Sequence, residues 1–153
     1  MPLPIITSAR TPAYDLPYLF PGQAQKEAFV NEAMARLDAL IHPVVRDEVA
    51  APPADPEPGD CYLVADPAGG AWSGREGSLA VWAENQWLHL APRQGMRVHD
   101  LAAGSVAVFT TLDGWTRAAA PLPPLGGSTQ DSEARAAIGQ VVAKLHSLGI
   151  FSA

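Results

Sequence analysis

Cysteine is almost missing from this chain. A single one, Cys61, excludes an internal disulfide and any multi-cysteine metal site. Charge is also scarce: 17% of residues are Asp, Glu, Lys or Arg, against about 25% in an average soluble domain. The net charge is -6, so a phosphate backbone finds little to bind, and nucleic acid is excluded as a partner. No apolar run approaches the ~18 residues of a membrane span, and the first residues lack the basic start and apolar core of a signal peptide. No membrane insertion is expected, and the protein is expected to be made in the cytoplasm. The four histidines, His42, His89, His99 and His146, are scattered, with no metal-binding spacing between them. Gly126-Gly127-Ser128 lacks the lysine of a phosphate cradle, and no Gly-x-Ser-x-Gly elbow occurs. No catalytic residue, metal or cofactor is therefore expected, and the chain does not read as an enzyme.

What is present begins with proline. Pro2, Pro4, Pro12 and Pro17 fall in the first 20 residues without any apolar period, which predicts an extended arm. Its apolar residues need cover from a neighbouring subunit or from the chain's own domain. The arm is expected to be dispensable for folding. From Gln23 onward Val30, Met34, Leu37, Ile41 and Val44 step by four and three, with Phe29, Ala33 and Leu40 beside them. That spacing predicts a helix that packs on the chain's own sheet and stops before Pro43.

Residues 50–58 hold four prolines and form a stiff connector. Short runs then follow, which predict strands at 61–65, 78–83, 86–91, 105–110 and 115–118. Glu84-Asn85 and Leu112-Asp113-Gly114 read as hairpin turns. After a turn-rich stretch at 121–127, Thr129 or Asp131 can cap a second helix and Gly149 can close it. Ile138, Val141, Leu145 and Leu148 form its apolar face. The fold class is α+β: an N-terminal arm (1–20), a helix plus a small antiparallel β-sheet or barrel (21–120), and a linker with a C-terminal helix (121–153).

The four tryptophans, Trp72, Trp82, Trp87 and Trp115, all lie in the β region. Large aromatics dominate small cores, but an uncrowded indole also stacks on sugar rings. Trp72, with Gly69, Gly70 and Gly74 around it, is the candidate carbohydrate contact. Trp82 alternates with Leu79 and Val81 as a core residue would, and it can face Trp87 across the hairpin.

One block resembles a known family. Leu16-Pro17-Tyr18-Leu19, Pro21-Gly22-Gln23-Ala24-Gln25-Lys26, Asn31-Glu32-Ala33 and Leu37-Asp38-Ala39-Leu40 stand in fixed order. Gly59-Asp60-Cys61-Tyr62-Leu63-Val64, Gly70-Ala71-Trp72-Ser73-Gly74 and Gly77-Ser78-Leu79-Ala80-Val81-Trp82 continue it as far as Pro92. This resembles a domain-of-unknown-function family found in prophages and gene transfer agents of alphaproteobacteria, over roughly residues 14 to 92. The resemblance implies a virion structural protein: a head-spike base, or a short tail-fibre or adaptor subunit that supports host attachment. The alternative is a carbohydrate-binding module that reads cell-surface polysaccharide directly. The expected partners are other particle proteins (capsid, spike or fibre subunits) and copies of itself, with cell-surface polysaccharide under the alternative. The expected location is the phage-like particle, assembled in the cytoplasm. The face of Ile138, Val141, Leu145 and Leu148 is expected to serve as an oligomer or partner interface, because a lone helix of this length is marginal in water.

Overall fold

The register of the hairpin around Glu84-Asn85 organises the first half of the molecule. In the computed structural model, which describes residues 10–19, 22, 26–123, 125–127 and 131–152, both turn residues have positive φ, 50° and 57°. A two-residue hairpin turn needs that backbone, and it sets Trp82 opposite Trp87. The chain forms two compact units, residues 1–92 and 93–153, and the class is α+β. Its helices are α1 (Lys26–Ile41) and α2 (Ser132–Ser147).

The first unit contains α1, the short strands β1 (Val44–Val45) and β2 (Glu48–Val49), then β3 (Cys61–Val64), a 3-10 turn (Gly70–Trp72), β4 (Leu79–Ala83) and β5 (Gln86–Leu90). Strands β2 to β5 form a sheet in that order. β3, β4 and β5 pair antiparallel, while β2 joins β3 in parallel. The sheet is thus mixed, because the connector at 50–58 returns the chain to the end from which β2 began.

Alternation along a strand sends successive side chains to opposite faces. The registers therefore place Cys61 with Val81 and Leu88, and Leu63 with Leu79 and Leu90, on one face. Tyr62, Ala80, His89, Trp82 and Trp87 lie on the other. Tyr18, Ala35, Ala83 and Leu88 form one core cluster, with Met34 against it. Val64, Trp72 and Ala80 form a second. Each face of the sheet therefore has its own small core.

Helix α1 turns a different face inward from the one its apolar spacing predicts. Ala35 and Asp38 are its buried residues, Met34 packs against the core, and Val30 is half-buried. Leu37, Ile41 and Val44 are 52%, 48% and 44% exposed. The reason is polar. Asn31 and Asp38 lie seven residues apart, on one side of the helix, and both bind the segment that precedes it. Asn31 exchanges two hydrogen bonds with the backbone of Leu19, 2.8 Å to the amide and 3.2 Å to the carbonyl. Asp38 receives three donors from residues 11–14.

Residues 10–19 of the arm accordingly lie on their own domain. Thr11 and Tyr18 are buried. Pro12 comes so close to the loop before β3 that a Cβ on Gly59 would sit 2.9 Å from the Pro12 Cβ. This part of the arm packs on its own domain and is not the free extension that its prolines suggest. Residues 1–9 and 20 lie outside the described residues.

The second unit contains β6 (Arg97–Asp100), β7 (Ser105–Thr110), β8 (Gly114–Ala119), α2 and β9 (Phe151–Ser152). β6, β7 and β8 pair antiparallel, and β9 joins β8 in parallel. Asp131 caps α2 by accepting from the Ala134 amide at 2.8 Å, and Glu133, Lys144 and His146 suit the helix dipole. Gly149, at φ +69°, ends the helix and donates its amide to the His146 carbonyl. Within this unit Val98 and Ala107 are buried. Asp100, 2% exposed, accepts the Nε and a terminal nitrogen of Arg117 and also the Ala103 amide.

Candidate functional site

The strongest concentration of unusual side chains is the aromatic face of the first unit. Trp72 comes from the 3-10 turn and lies over the sheet, with its ring 5.0 Å from Trp87 and perpendicular to it. Tyr62 contacts both at 6.3 and 6.2 Å, His89 meets Trp72 at 6.2 Å, and Trp82 flanks Trp87 at 5.1 Å. Such edge-to-face pairs fix ring orientation as well as burying area.

The uncrowded sugar platform expected at Trp72 is not what the structure shows. Trp72 is 0% exposed, and its glycine neighbours serve a different purpose. Gly70 and Gly74 take positive φ, 58° and 78°, which folds the short turn back so that the indole is pressed onto Val64 and Ala80. The ring cannot reach a glycan. Trp82 and Trp87, expected as a cross-strand pair, do face each other, and both are half-buried.

His89 and Ser78 form a pair on this face, with Nδ1 3.3 Å from Oγ. The serine hydroxyl donates to the Arg75 carbonyl at 2.6 Å. It must therefore accept from His89, the reverse of the polarity a nucleophile needs. Burial, and then the positive charge of Arg75, push the His89 pKa below its ordinary value. The lowered value makes His89 bind a proton more weakly when folded than when unfolded. Its contribution to stability is complete above about pH 6.5 and falls as pH drops towards the folded value. Urea midpoints followed from about pH 7.5 to about pH 5 should decline more steeply for the wild type than for His89→Gln. Equal slopes in the two proteins would show that His89 is not responsible.

A second feature is a cavity of about 300 Å³ between the arm, α1 and the sheet. Its lining includes Pro12, Tyr14, Asp38, His42, Cys61 and Val81. Tyr14 Oη makes a close contact with His42 Nδ1. The Cys61 thiol is pushed up to about 12, by burial first and by Asp60 second, so it stays protonated and unreactive at neutral pH. Asp60 itself is buried and held by Arg46 at 2.6 Å and by the Glu57 amide at 3.0 Å. Asp38, Asp60 and Asp100 thus each serve as an anchor for backbone or a cation. Among the described residues no group of three His, Cys, Asp or Glu side chains is placed to hold a metal ion, and no helix is long and apolar enough to cross a membrane.

The third feature is α2. It has no buried residue. Of the expected interface residues, Ile138, Val141 and Leu148 are 50%, 58% and 71% exposed, while Leu145 is half-buried. The four share one face of the helix. Sequence reasoning passed over the clamp at Asp38 and Asn31, whose only signal is two polar residues seven apart inside an apolar helix. It set the apolar stripe of α1 against the sheet, whereas Phe29, Leu37, Leu40 and Ile41 are exposed.

A family model described as Protein of unknown function (DUF2793) matches residues 30–116, more than half of the chain. The match takes in α1 from Val30 onward, the whole first sheet and β6 to β8 up to Thr116, which is beyond the point at Pro92 where the resemblance read from the sequence ends. No curated protein matches the chain.

Proposed function

The chain belongs to the DUF2793 family, and from that premise we propose that it is a structural subunit of a phage-like particle, a prophage virion or gene transfer agent. Within the particle it serves as a head-spike base or as a short tail-fibre or adaptor subunit that supports host attachment. One observation carries this reading. A complete, well-capped helix of 16 residues, α2, presents Ile138, Val141 and Leu148 to solvent. Contiguous exposed apolar surface of that kind marks a contact with another protein. The sparse charge and the acidic balance fit the same role, and the sequence block that resembles prophage and gene-transfer-agent proteins gives the particle its kind.

A glycan platform at Trp72 is not part of the proposal, because that ring is enclosed. The partners are capsid, spike or fibre proteins, and the site of assembly is the cytoplasm of the producing cell.

The test is mass spectrometry of purified particles from the producing cell. The protein is expected there at a fixed ratio to the capsid or tail proteins. Placing Glu at both Val141 and Leu145 should remove it from particles while its cellular level stays unchanged. Particles that lack the wild-type protein would overturn the proposal.

A further inference from the structure

Three aspartates are buried among the described residues: Asp38, Asp60 and Asp100. Two of them face a cation. Asp60 holds Arg46 at 2.6 Å, and Asp100 holds Arg117. Asp38, 4% exposed, forms no ion pair with any described residue. Its partners are neutral donors: Thr11 and the Tyr14 amide on Oδ1, and the Ala13 amide on Oδ2. A carboxylate offers about four acceptor positions, so one remains, on Oδ2. Removing a charge from water costs most when no opposite charge stands beside it.

Asp38 also lines the cavity of about 300 Å³ between the arm, α1 and the sheet. The rest of the lining decides what joins the carboxylate there. Ala35, Ala39, Val44, Val81 and Ala83 make apolar walls, and no lysine or arginine stands among the described lining residues. An anion would meet an unneutralised carboxylate. A bare metal ion would find too few ligands, since no group of three His, Cys, Asp or Glu side chains is gathered among the described residues. An organic cation suits both halves of the site. Its ammonium can donate to Oδ2 of Asp38 in a charge-assisted bond. The ring of Tyr14, 5.8 Å from that of His42 between centroids, attracts the same charge. Size excludes the smallest candidates: a cavity of about 150 Å³ holds benzene, so this one has room for a ring with a short ammonium arm.

We propose that this cavity binds a small organic amine, protonated at its nitrogen, with an apolar body of ring size. Asp38 pairs with the ammonium, and the alanine-rich wall covers the body. The site goes beyond the structural role in a particle and does not depend on it. Asp38 then has two tasks: the carboxylate that fastens the arm is also the counter-ion of the ligand.

The test is calorimetric titration of the purified full chain with phenethylammonium, and with phenethyl alcohol as its neutral isostere. The ammonium is expected to saturate a single site with a dissociation constant below about 1 mM. The alcohol should bind at least about tenfold more weakly, because it lacks the charge-assisted bond. The amide signals that move on titration should be those of the lining, Ala13, Tyr14, Ala39 and Cys61, while those of the second unit stay. Ala39 is half-buried and lines the cavity. Ala39→Leu therefore fills the same space without altering charge, and should abolish binding with the near-ultraviolet spectrum unchanged. Asp38→Asn should lower the affinity for the ammonium to that for the alcohol. Because that substitution also loosens the arm, the ligand pair on the wild type and the Ala39→Leu variant carry the test by themselves. No saturation by the ammonium, equal affinity for ammonium and alcohol, or full affinity in Ala39→Leu would each overturn the proposal.

Discussion

Trp72→Ala is expected to destabilise the first unit by about 3–5 kcal/mol, the usual loss for deleting a buried aromatic. The magnitude follows from position. The side chain is 0% exposed and packs with Val64 and Ala80 at the centre of this face of the sheet, with Tyr62 and Trp87 against them. It also meets Trp87 and His89 edge to face and Tyr62 at a tilt. The cavity left by alanine cannot close, because those three side chains are tied to strands of fixed register. Trp72→Phe should cost much less. It keeps a ring in the site and removes a buried indole Nε1 that has no hydrogen-bond partner among the described residues, an arrangement that carries its own penalty.

Trp82→Ala is the control. Trp82 is half-buried and its ring contact is with Trp87, so its loss should be the smaller. Urea unfolding followed by the fluorescence of Trp82 and Trp87 reads this unit, and Trp115 lies in the other. A Trp72→Ala protein that unfolds within about 1 kcal/mol of the wild type would show that the ring does not hold this core together.

The contrast between Trp72 and Trp82 shows where sequence reading succeeds here. Elements with a local cause were legible: the hairpin from Glu84-Asn85, the strands around it, the cap at Asp131 and the stop at Gly149. Each depends on a few adjacent residues, and the structure keeps them within a residue or two. Strands of two residues, such as β1, β2 and β9, carry no periodic signal at all. They exist because a neighbouring strand offers free backbone groups.

Burial was harder to read, because it is a tertiary property. Glycines around Trp72 suggest an open ring, yet positive φ at Gly70 and Gly74 is what allows the turn to close it. In α1 every turn offers apolar residues on more than one side, so spacing alone could not say which side meets the sheet. Asn31 and Asp38 decide it, since a buried carboxylate must lie where its donors are. Of the candidate site, the α2 face was visible as a pattern, and so were the apolar residues of α1, but not that most of them turn away from the sheet.

Asp38→Ala should cost about 3 kcal/mol and release the arm from the first unit, since buried donors left without a partner cost about 1–3 kcal/mol each and such losses do not simply add. Asp38 is 4% exposed, and its two oxygens serve three donors: Thr11 Oγ1 at 2.5 Å and the Tyr14 amide at 2.8 Å on Oδ1, and the Ala13 amide at 2.9 Å on Oδ2. Thr11 Oγ1 in turn accepts the Leu16 amide at 3.0 Å, so the carboxylate sets the whole turn of residues 11–16. That turn places Tyr18 against Ala35, Ala83 and Leu88, and the effect of the substitution should therefore reach the core. Asp38→Asn keeps the volume but supplies a single oxygen, and an amide group must face one of the donors. Its loss should be intermediate. Two readings separate a local clamp from general damage. In Asp38→Ala the amides of Ala13, Tyr14 and Leu16 should exchange hydrogen much faster, and a protease should cut within residues 10–19. The amides paired between β4 and β5 should lose only the protection that the global destabilisation removes. If the arm amides stay as protected as in the wild type, Asp38 does not hold the arm, and its burial has another cause.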